Sequence, residues 1–274
     1  VAGPYTLWRE RPDAAAPFIV CAMFTPDYRP FAQRLLASLN RFSIAHALFE
    51  VAQVHCSISP RGGDNLNFSK PRFIAAMLRQ FTKPVLFVDS DVVFCQRPVL
   101  LAELCAEHCD FAIYNWLSDK VNDAWRPDEA GRWRFFFSID VASDTQLMAS
   151  GAVQLWGGGN ACNGLLADWE RRLAENPGAQ DDHCLDLAFN HIRQQDLHPR
   201  WLPKEYCRYG FWPYVEPVVD HPGFPTPDAG QWKDLGIARL DRGKIRRVQK
   251  QPPFPREAIL KPDQILAKPK PRPS

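Results

Sequence analysis

No apolar run in this 274-residue chain approaches the ~20 residues needed to cross a bilayer. No secretory signal is recognisable at its N-terminus, so reducing cytoplasm is the economical compartment. A surplus of one charge is missing as well. Basic and acidic residues number 33 and 31, a formal charge of +2, which makes no case for nucleic acid as a partner. No internal repeat appears. Eight cysteines do not make a disulfide scaffold, because Cys21, Cys56, Cys95, Cys162 and Cys184 lie beside or within apolar segments, where free cysteine behaves as a small hydrophobe. Cys105, His108 and Cys109 could share a helix face, but no second Cys/His pair stands at matching spacing, so a structural zinc site lacks its fourth ligand. What is plentiful is apolar material. Hydrophobic residues make up 46% of the chain and aromatics 12%, enough for a substantial core in one α/β domain.

Basic residues concentrate at the end. Arg242, Lys244, Arg246, Arg247, Lys250, Lys261, Lys268 and Lys270 share residues 241–274 with seven prolines, which predicts an extended tail. The tail is expected to be solvated, or to touch anionic lipids as a peripheral membrane contact. The folded domain is expected over 17–240, with a nucleotide-binding half at 17–116 and an acceptor-binding half at 117–240.

Pro84-Val-Leu-Phe-Val-Asp-Ser-Asp-Val-Val-Phe94 is the richest segment. Its apolar residues predict a buried strand, with Asp89 and Asp91 at the C-terminal edge where open α/β sheets bind ligands. Two carboxylates so close repel each other unless a cation or a shared proton joins them. A divalent metal carrying a phosphorylated substrate is the economical explanation; two solvated turn aspartates are the plain one.

Upstream, Phe18–Phe24 predicts a strand, Phe31, Leu35, Leu36 and Leu39 a helix ending near Asn40, and Ala47–His55 a second strand. A polar loop, Ser59–Asn67, leads to a helix that Ser69 would cap and Pro71 would open, with Phe73, Ile74, Met77, Leu78 and Phe81 as its buried stripe. This strand–helix alternation predicts a mostly parallel central sheet flanked by helices. Downstream, a helix is expected over Val99–Cys109, strands over Phe111–Trp116, Arg134–Ile139 and Ala152–Trp156, and a bend around Met148–Gly151. A helix through Leu165, Trp169 and Leu173, another opened by Gln180–His183, and a short strand at Trp201–Pro203 complete the series.

In order and spacing, Phe18–Thr25, Asn67-Phe-Ser-Lys-Pro71, Val88-Asp-Ser-Asp91, Ser150-Gly-Ala-Val153, the Leu165–Trp169 helix and Asp181-Asp182 resemble the nucleotide-sugar glycosyltransferases of the A-type (GT-A) fold. The closest resemblance is to metal-dependent retaining families, and it covers roughly residues 17–225. It implies transfer of a sugar from a nucleotide-sugar donor, most often a UDP-sugar, through Mn²⁺ or Mg²⁺, to a hydroxyl of a glycan, a lipid-linked sugar or a protein. It makes Asp91 the primary metal ligand and puts Asp89 on the metal, its waters or the donor ribose; Ser90 is small enough to let both approach. A third ligand late in the chain would be His221, unless it is a simple turn histidine. Phe224-Pro-Thr-Pro227 stands where such families carry a lysine and an aromatic.

Thr25, Asp27 and Tyr28 fall where the resemblance places base and ribose contacts; Tyr28 would stack on the base or merely cap the first helix. Lys70 and Arg72 at a helix opening could meet the diphosphate or ribose, or be solvated first-turn cations. Asp181 and Asp182 are helix caps on local grounds. By resemblance they hold sugar hydroxyls or stabilise the transition state, as catalytic residues. Ser150 and Gly151 would line the acceptor side. Trp116, Trp125, Trp133 and Trp156 are candidate sugar-stacking faces. Two other readings stand. Asp89-Ser-Asp-Val-Val93 also satisfies the signature of haloacid-dehalogenase-like phosphatases, although their nucleophile ends the first strand and here two strand–helix units precede it. A non-catalytic sugar-nucleotide-binding module is the second.

Overall fold

The computed structural model describes residues 5–52, 57–59, 63–118, 125–127, 133–135, 146–176, 181–192, 197–209 and 215–221. In chain order the elements are β1 (Tyr5–Arg11), β2 (Ile19–Phe24), α1 (Arg29–Arg41), β3 (His46–Val51), β4 (Ser57–Ser59), β5 (Gly63–Asn65), α2 (Lys70–Phe81), β6 (Val85–Val88), β7 (Val93–Phe94), α3 (Val99–Ala106) and β8 (Phe111–Asn115). Then come β9 (Trp125–Pro127), β10 (Trp133–Phe135), β11 (Ala149–Trp156), α4 (Gly159–Glu175), α5 (Asp181–His191), β12 (Pro199–Trp201), β13 (Arg208–Tyr209) and β14 (Val219–His221). One compact unit comprises residues 1–115 and 146–223; a second comprises 116–145 and 224–274, in which β9 and β10 pair antiparallel.

The first unit is built on a seven-stranded sheet in the order β1-β3-β2-β6-β11-β8-β12. Five strands run one way; β1 and β11 run against them. By strand direction the sheet is mostly parallel, as expected, while β1 and β11 make its pairing mixed. Strands β2, β6, β8 and β11 are buried along their length, which explains their unbroken apolar runs. From β2 the chain goes through α1 to β3 on one side, and after α2 to β6 on the other. The carboxyl ends of β2 and β6 thus flank the point where strand order reverses, the place where such sheets hold ligands.

The main core joins Cys21, Met23, Phe49 and Phe87 of the sheet to Phe73, Ile74 and Met77 of α2, Leu165 and Trp169 of α4, and Leu185 and Phe189 of α5. Phe73 makes edge-to-face contacts with Tyr5, Phe49 and Phe87. Trp156 stacks on Trp169, centroids 6.2 Å apart. Among the described cysteines none is disulfide-bonded, and Cys21, Cys109, Cys162, Cys184 and Cys207 are buried.

Several expectations need correction. Ser69 makes no side-chain cap, although Pro71 does open α2. The helix begun at Val99 stops at Ala106, and His108 adopts a left-handed φ of 55°. Cys105, His108 and Cys109 therefore share no continuous helix face, and Cys109 Sγ donates to the Phe111 carbonyl. The bend at Met148–Gly151 is a bulge inside β11: the register against β8 passes from Ser150↔Tyr114 directly to Gln154↔Ile113. Strand β1 extends the sheet ahead of residue 17. Trp156 and Trp116 are core residues, not stacking platforms: Trp156 is fully buried, with its ring nitrogen bonded to Gln154 Oε1. Residues 136–139, much of 117–132 and the basic tail lie outside the described residues, as do the side chains of Trp125 and Trp133. No helix among the described residues is long and apolar enough to cross a membrane.

Candidate active site

Strand β6 ends in a tight turn. Asp89 N–H donates to the Ala152 carbonyl of the β11 bulge, and Val92 N–H folds back to the Asp89 carbonyl at 3.3 Å. Ser90 is buried inside this turn, which leaves Asp89 and Asp91 projecting from it. The chain then forms β7, whose Phe94 N–H donates to Ser38 Oγ of α1. Strand β14 pairs with β7 through Val219↔Phe94 and Asp220↔Val93, and β13 pairs with β14 through Tyr209↔His221. This small sheet brings His221 back, 130 residues later, to Asp91: its Nε2 lies 3.2 Å from Asp91 Oδ1. One ligand atom from each of Asp89, Asp91 and His221 falls within 4.8 Å of the others.

These side chains fit a divalent cation. Two donors at right angles on an octahedral ion with bonds near 2.1 Å are about 3 Å apart, close to the 3.2 Å seen here. Two carboxylates suit Mg²⁺ or Mn²⁺, and the imidazole inclines the set towards a transition metal such as Mn²⁺. His221 and Asp91 each favour the charged form of the other. Burial pushes the His221 ring towards neutrality, but the facing Asp91 outweighs it and raises the ring's pKa. Burial also works against charge on Asp91, yet His221 holds it below the usual carboxylate value. Asp89 is raised, chiefly by burial, against the pull of Lys70.

Lys70 is the surprise. It does not face solvent from the helix opening: only 3% exposed, it spans Asp89 Oδ1 at 3.1 Å and Asp181 Oδ2 at 3.0 Å, over the ring of Phe87. Burial disfavours its charge, but Asp181, Asp89 and Asp182 more than compensate, so Lys70 stays protonated. Arg72, two residues on, points elsewhere and ion-pairs with Glu170 of α4.

The first turn of α5 supplies the opposite wall. Asp182 lies against Gly151, where a Cβ would come within 2.0 Å of Asp182 Oδ1; only glycine admits this approach. That oxygen is buried, and the Gly151 backbone is the hydrogen-bonding group beside the carboxylate. Burial, then the neighbouring Asp181, raises the Asp182 pKa to about 7. Ser150, beside Gly151, contacts the Tyr209 hydroxyl and, at 3.0 Å, Cys207 Sγ. Tyr209 in turn meets the His221 ring edge-on at 5.0 Å. Tyr28 sits after β2 at the start of α1 without a side-chain cap bond. Burial and the charges of Asp91 and Asp89 raise its pKa, so its hydroxyl belongs to the same electrostatic neighbourhood. Asp27 and Thr25 lie in the preceding turn, Asp27 exposed.

The structure thus gathers Asp89, Asp91, His221, Lys70, Asp181, Asp182, Gly151, Ser150 and Tyr28, and turns Arg72 away. Tyr209, Cys207 and Asp186 went unnoticed in the sequence. Asp186, one helical turn after Asp182, accepts the Ala149 N–H at 2.7 Å, and that i, i+4 spacing was its only available signal.

Two solved structures with a similar fold are glycosyltransferases. The apo structure of the bifunctional glycosyltransferase WbbM aligns with a TM-score of 0.52 and 12% identity, over 88% of this chain and 53% of that one. A glycosyltransferase involved in the glycosylation of the major capsid of PBCV-1 aligns with a TM-score of 0.51 and 8% identity, over 80% of this chain and 98% of that one. This chain therefore has a glycosyltransferase fold of the A type, spanning about half of WbbM. No protein-family model and no curated protein sequence matches it.

Proposed function

We propose that this protein is a divalent-metal-dependent glycosyltransferase that moves a sugar from a nucleotide donor, a UDP-sugar, to an acceptor hydroxyl with retention of configuration. The convergence of Asp89, Asp91 and His221 at the carboxyl end of β6 carries the reading. These three side chains would hold Mn²⁺ or Mg²⁺. When bound, such a cation neutralises charge on the diphosphate as it departs.

The remaining roles follow from placement. Lys70 fixes the Asp89 and Asp181 carboxylates relative to each other, a role different from meeting the diphosphate directly. Asp182, its carboxylate set against Gly151, would face the donor sugar and is the catalytic candidate, with Asp181 held by Lys70. Thr25, Asp27 and Tyr28, at the end of β2, take the base and ribose. Ser150 and Gly151 line the acceptor side, and the acceptor is a glycan, a lipid-linked sugar or a protein hydroxyl. Holding two reactants in this geometry supplies part of the acceleration such a site needs, and stabilising the departing diphosphate the rest. No observation favours the phosphatase, since β6 is the third strand of its series rather than the first.

A screen of sugar-nucleotide hydrolysis tests the proposal without knowledge of the acceptor. Slow hydrolysis of at least one UDP-sugar is expected with Mn²⁺ and none after chelation. Calorimetry showing no metal-dependent binding of any UDP-, GDP- or CMP-sugar overturns it.

A further inference from the structure

Strand β11 is buried along its whole length, so an apolar side chain is the ordinary occupant of each position. Position 154 carries a glutamine instead, and it is fully buried. Both ends of its amide are used. Oε1 accepts the Trp156 indole N–H at 3.1 Å, and because that nitrogen only donates, the orientation of the amide is fixed. Nε2 then donates to the Gly151 carbonyl at 2.9 Å. Gly151 lies in the bulge, where the register against β8 passes from Ser150 directly to Gln154 and pairs no β8 residue with 151–153. A buried carbonyl outside the ladder needs a donor from a side chain, and Gln154 supplies it.

The bulge is where the parts of the site meet. Ser150 contacts the Tyr209 hydroxyl, and Tyr209 meets the His221 ring edge-on. Gly151 lies against Asp182. The Ala152 carbonyl accepts the Asp89 N–H at 2.9 Å and so holds the first residue of the carboxylate turn. On the incoming side of the bulge, Asp186 and Asn115 take the Ala149 and Met148 N–H groups at 2.7 and 3.0 Å. On the outgoing side Gln154 holds the Gly151–Ala152 peptide. From this we infer that Gln154 is a positioning residue of the active site. Its hydrogen bond to the Gly151 carbonyl sets the shape of the bulge, and through the bulge the placement of the Asp89 turn against Asp182. Without that bond the Gly151–Ala152 peptide turns to find another donor, which draws the Ala152 carbonyl off the Asp89 amide and Gly151 off Asp182. The inference rests on the glycosyltransferase reading and deepens it, while its effect on the metal turn is read from Mn²⁺ binding, apart from turnover.

Three variants of the full chain test it. Gln154→Met keeps the volume and removes both hydrogen bonds of the amide. Trp156→Phe removes only the bond to the indole. The double variant differs from Trp156→Phe in the Gly151 bond and strands no indole N–H, so it carries the same comparison should Gln154→Met not fold. The Kd for Mn²⁺ is measured by calorimetry well below the lowest Tm, and kcat and KM for hydrolysis of UDP-glucose and UDP-galactose at saturating Mn²⁺. All three variants are expected to lose Tm, as any buried substitution here would cause. Gln154→Met and the double variant are also expected to weaken Mn²⁺ binding and to lower kcat by about 10-fold or more, the scale on which partners of ligating groups act, with donor KM little changed. Trp156→Phe is expected to keep Kd and kcat near the wild type. Wild-type Kd and kcat in the Gln154 variants, or an equal loss in Trp156→Phe, overturns the inference and leaves the glycosyltransferase reading standing. The expected loss of Mn²⁺ affinity with no hydrolysis of any sugar nucleotide by the wild type supports the positioning role and overturns that reading. Absence of Mn²⁺ binding by the wild type overturns both.

Discussion

A histidine nitrogen 3.2 Å from a carboxylate oxygen is an arrangement that a proton or a metal can complete, and His221 and Asp91 form one beside Asp89. Replacing Asp91 by Asn keeps the volume and removes the charge that makes the trio a cation site. A ligand that binds only the native state stabilises it by about 2.7 kcal/mol at 100 times its Kd. Mn²⁺ is therefore expected to raise the Tm of the wild type, and to leave that of Asp91→Asn unmoved while its folded far-ultraviolet spectrum persists. A Mn²⁺-induced shift of wild-type size in the variant would remove Asp91 from the metal. Gly151 is a second decisive position, because the oxygen it admits belongs to Asp182. Gly151→Ala puts a methyl 2.0 Å from Asp182 Oδ1, and the flexible carboxylate must yield. Displacement of a reacting group by about 1 Å can cost ~100-fold in rate. A loss of that order in kcat for donor hydrolysis is expected, with little change in Tm; unchanged kcat would show that Asp182 need not sit there.

Two-residue β7 holds the carboxylate turn between larger bodies. On one side it pairs with β14, which bears His221; on the other Phe94 N–H donates to Ser38 Oγ, which itself donates to Leu35 O of α1. Ser38→Ala strips the partner from a buried amide, at a cost of about 1–3 kcal/mol. Urea denaturation is expected to register that loss, and Mn²⁺ affinity to fall with it; retention of both would mean that the turn is held elsewhere. The same short element explains what could and could not be read in the sequence. Strands β2 and β6 and helix α2 were legible because their apolar runs and helical spacing are local signals, and so was the carboxylate pair at the end of β6. Strand β14, three residues long, has no pattern of its own, so His221 remained equally a ligand or a turn residue. Lys70 reads as a first-turn cation because its burial depends on Phe87 and Asp181, which are neighbours only after folding. Strand β1, Tyr5-Thr-Leu-Trp-Arg-Glu-Arg11, is a charged, largely exposed edge strand, and edge strands lack the apolar run that marks central ones.

Across the fold, acidic groups have been taken out of water around one crevice, and this gives stability a direction with pH. Asp182 is raised to about 7, Asp186 well above its ordinary value of 3.8, and Asp89 above it too, each chiefly by burial. A carboxyl raised in the native state loses its proton first in the unfolded chain. Its contribution to stability is therefore complete below the unfolded pKa and is lost as pH rises through the folded value. His221, also raised, adds to the same slope above its unfolded pKa of 6.5. Asp91, held low, contributes above 3.8 and is lost only as pH falls through its depressed value, so it opposes the trend only in acid. The metal-free Tm is therefore expected to fall between about pH 5 and pH 8. Mn²⁺ binds the deprotonated ligands, so its stabilising increment should grow over the same interval. Asp186→Asn isolates one source of the slope, since the amide oxygen can still accept the Ala149 N–H that Asp186 takes at 2.7 Å while no charge is buried. Scanning calorimetry across this range should find the variant with the flatter profile and the higher Tm at the alkaline end. A wild-type Tm that rises with pH in the absence of metal would mean that these carboxylates are not buried as charges at all.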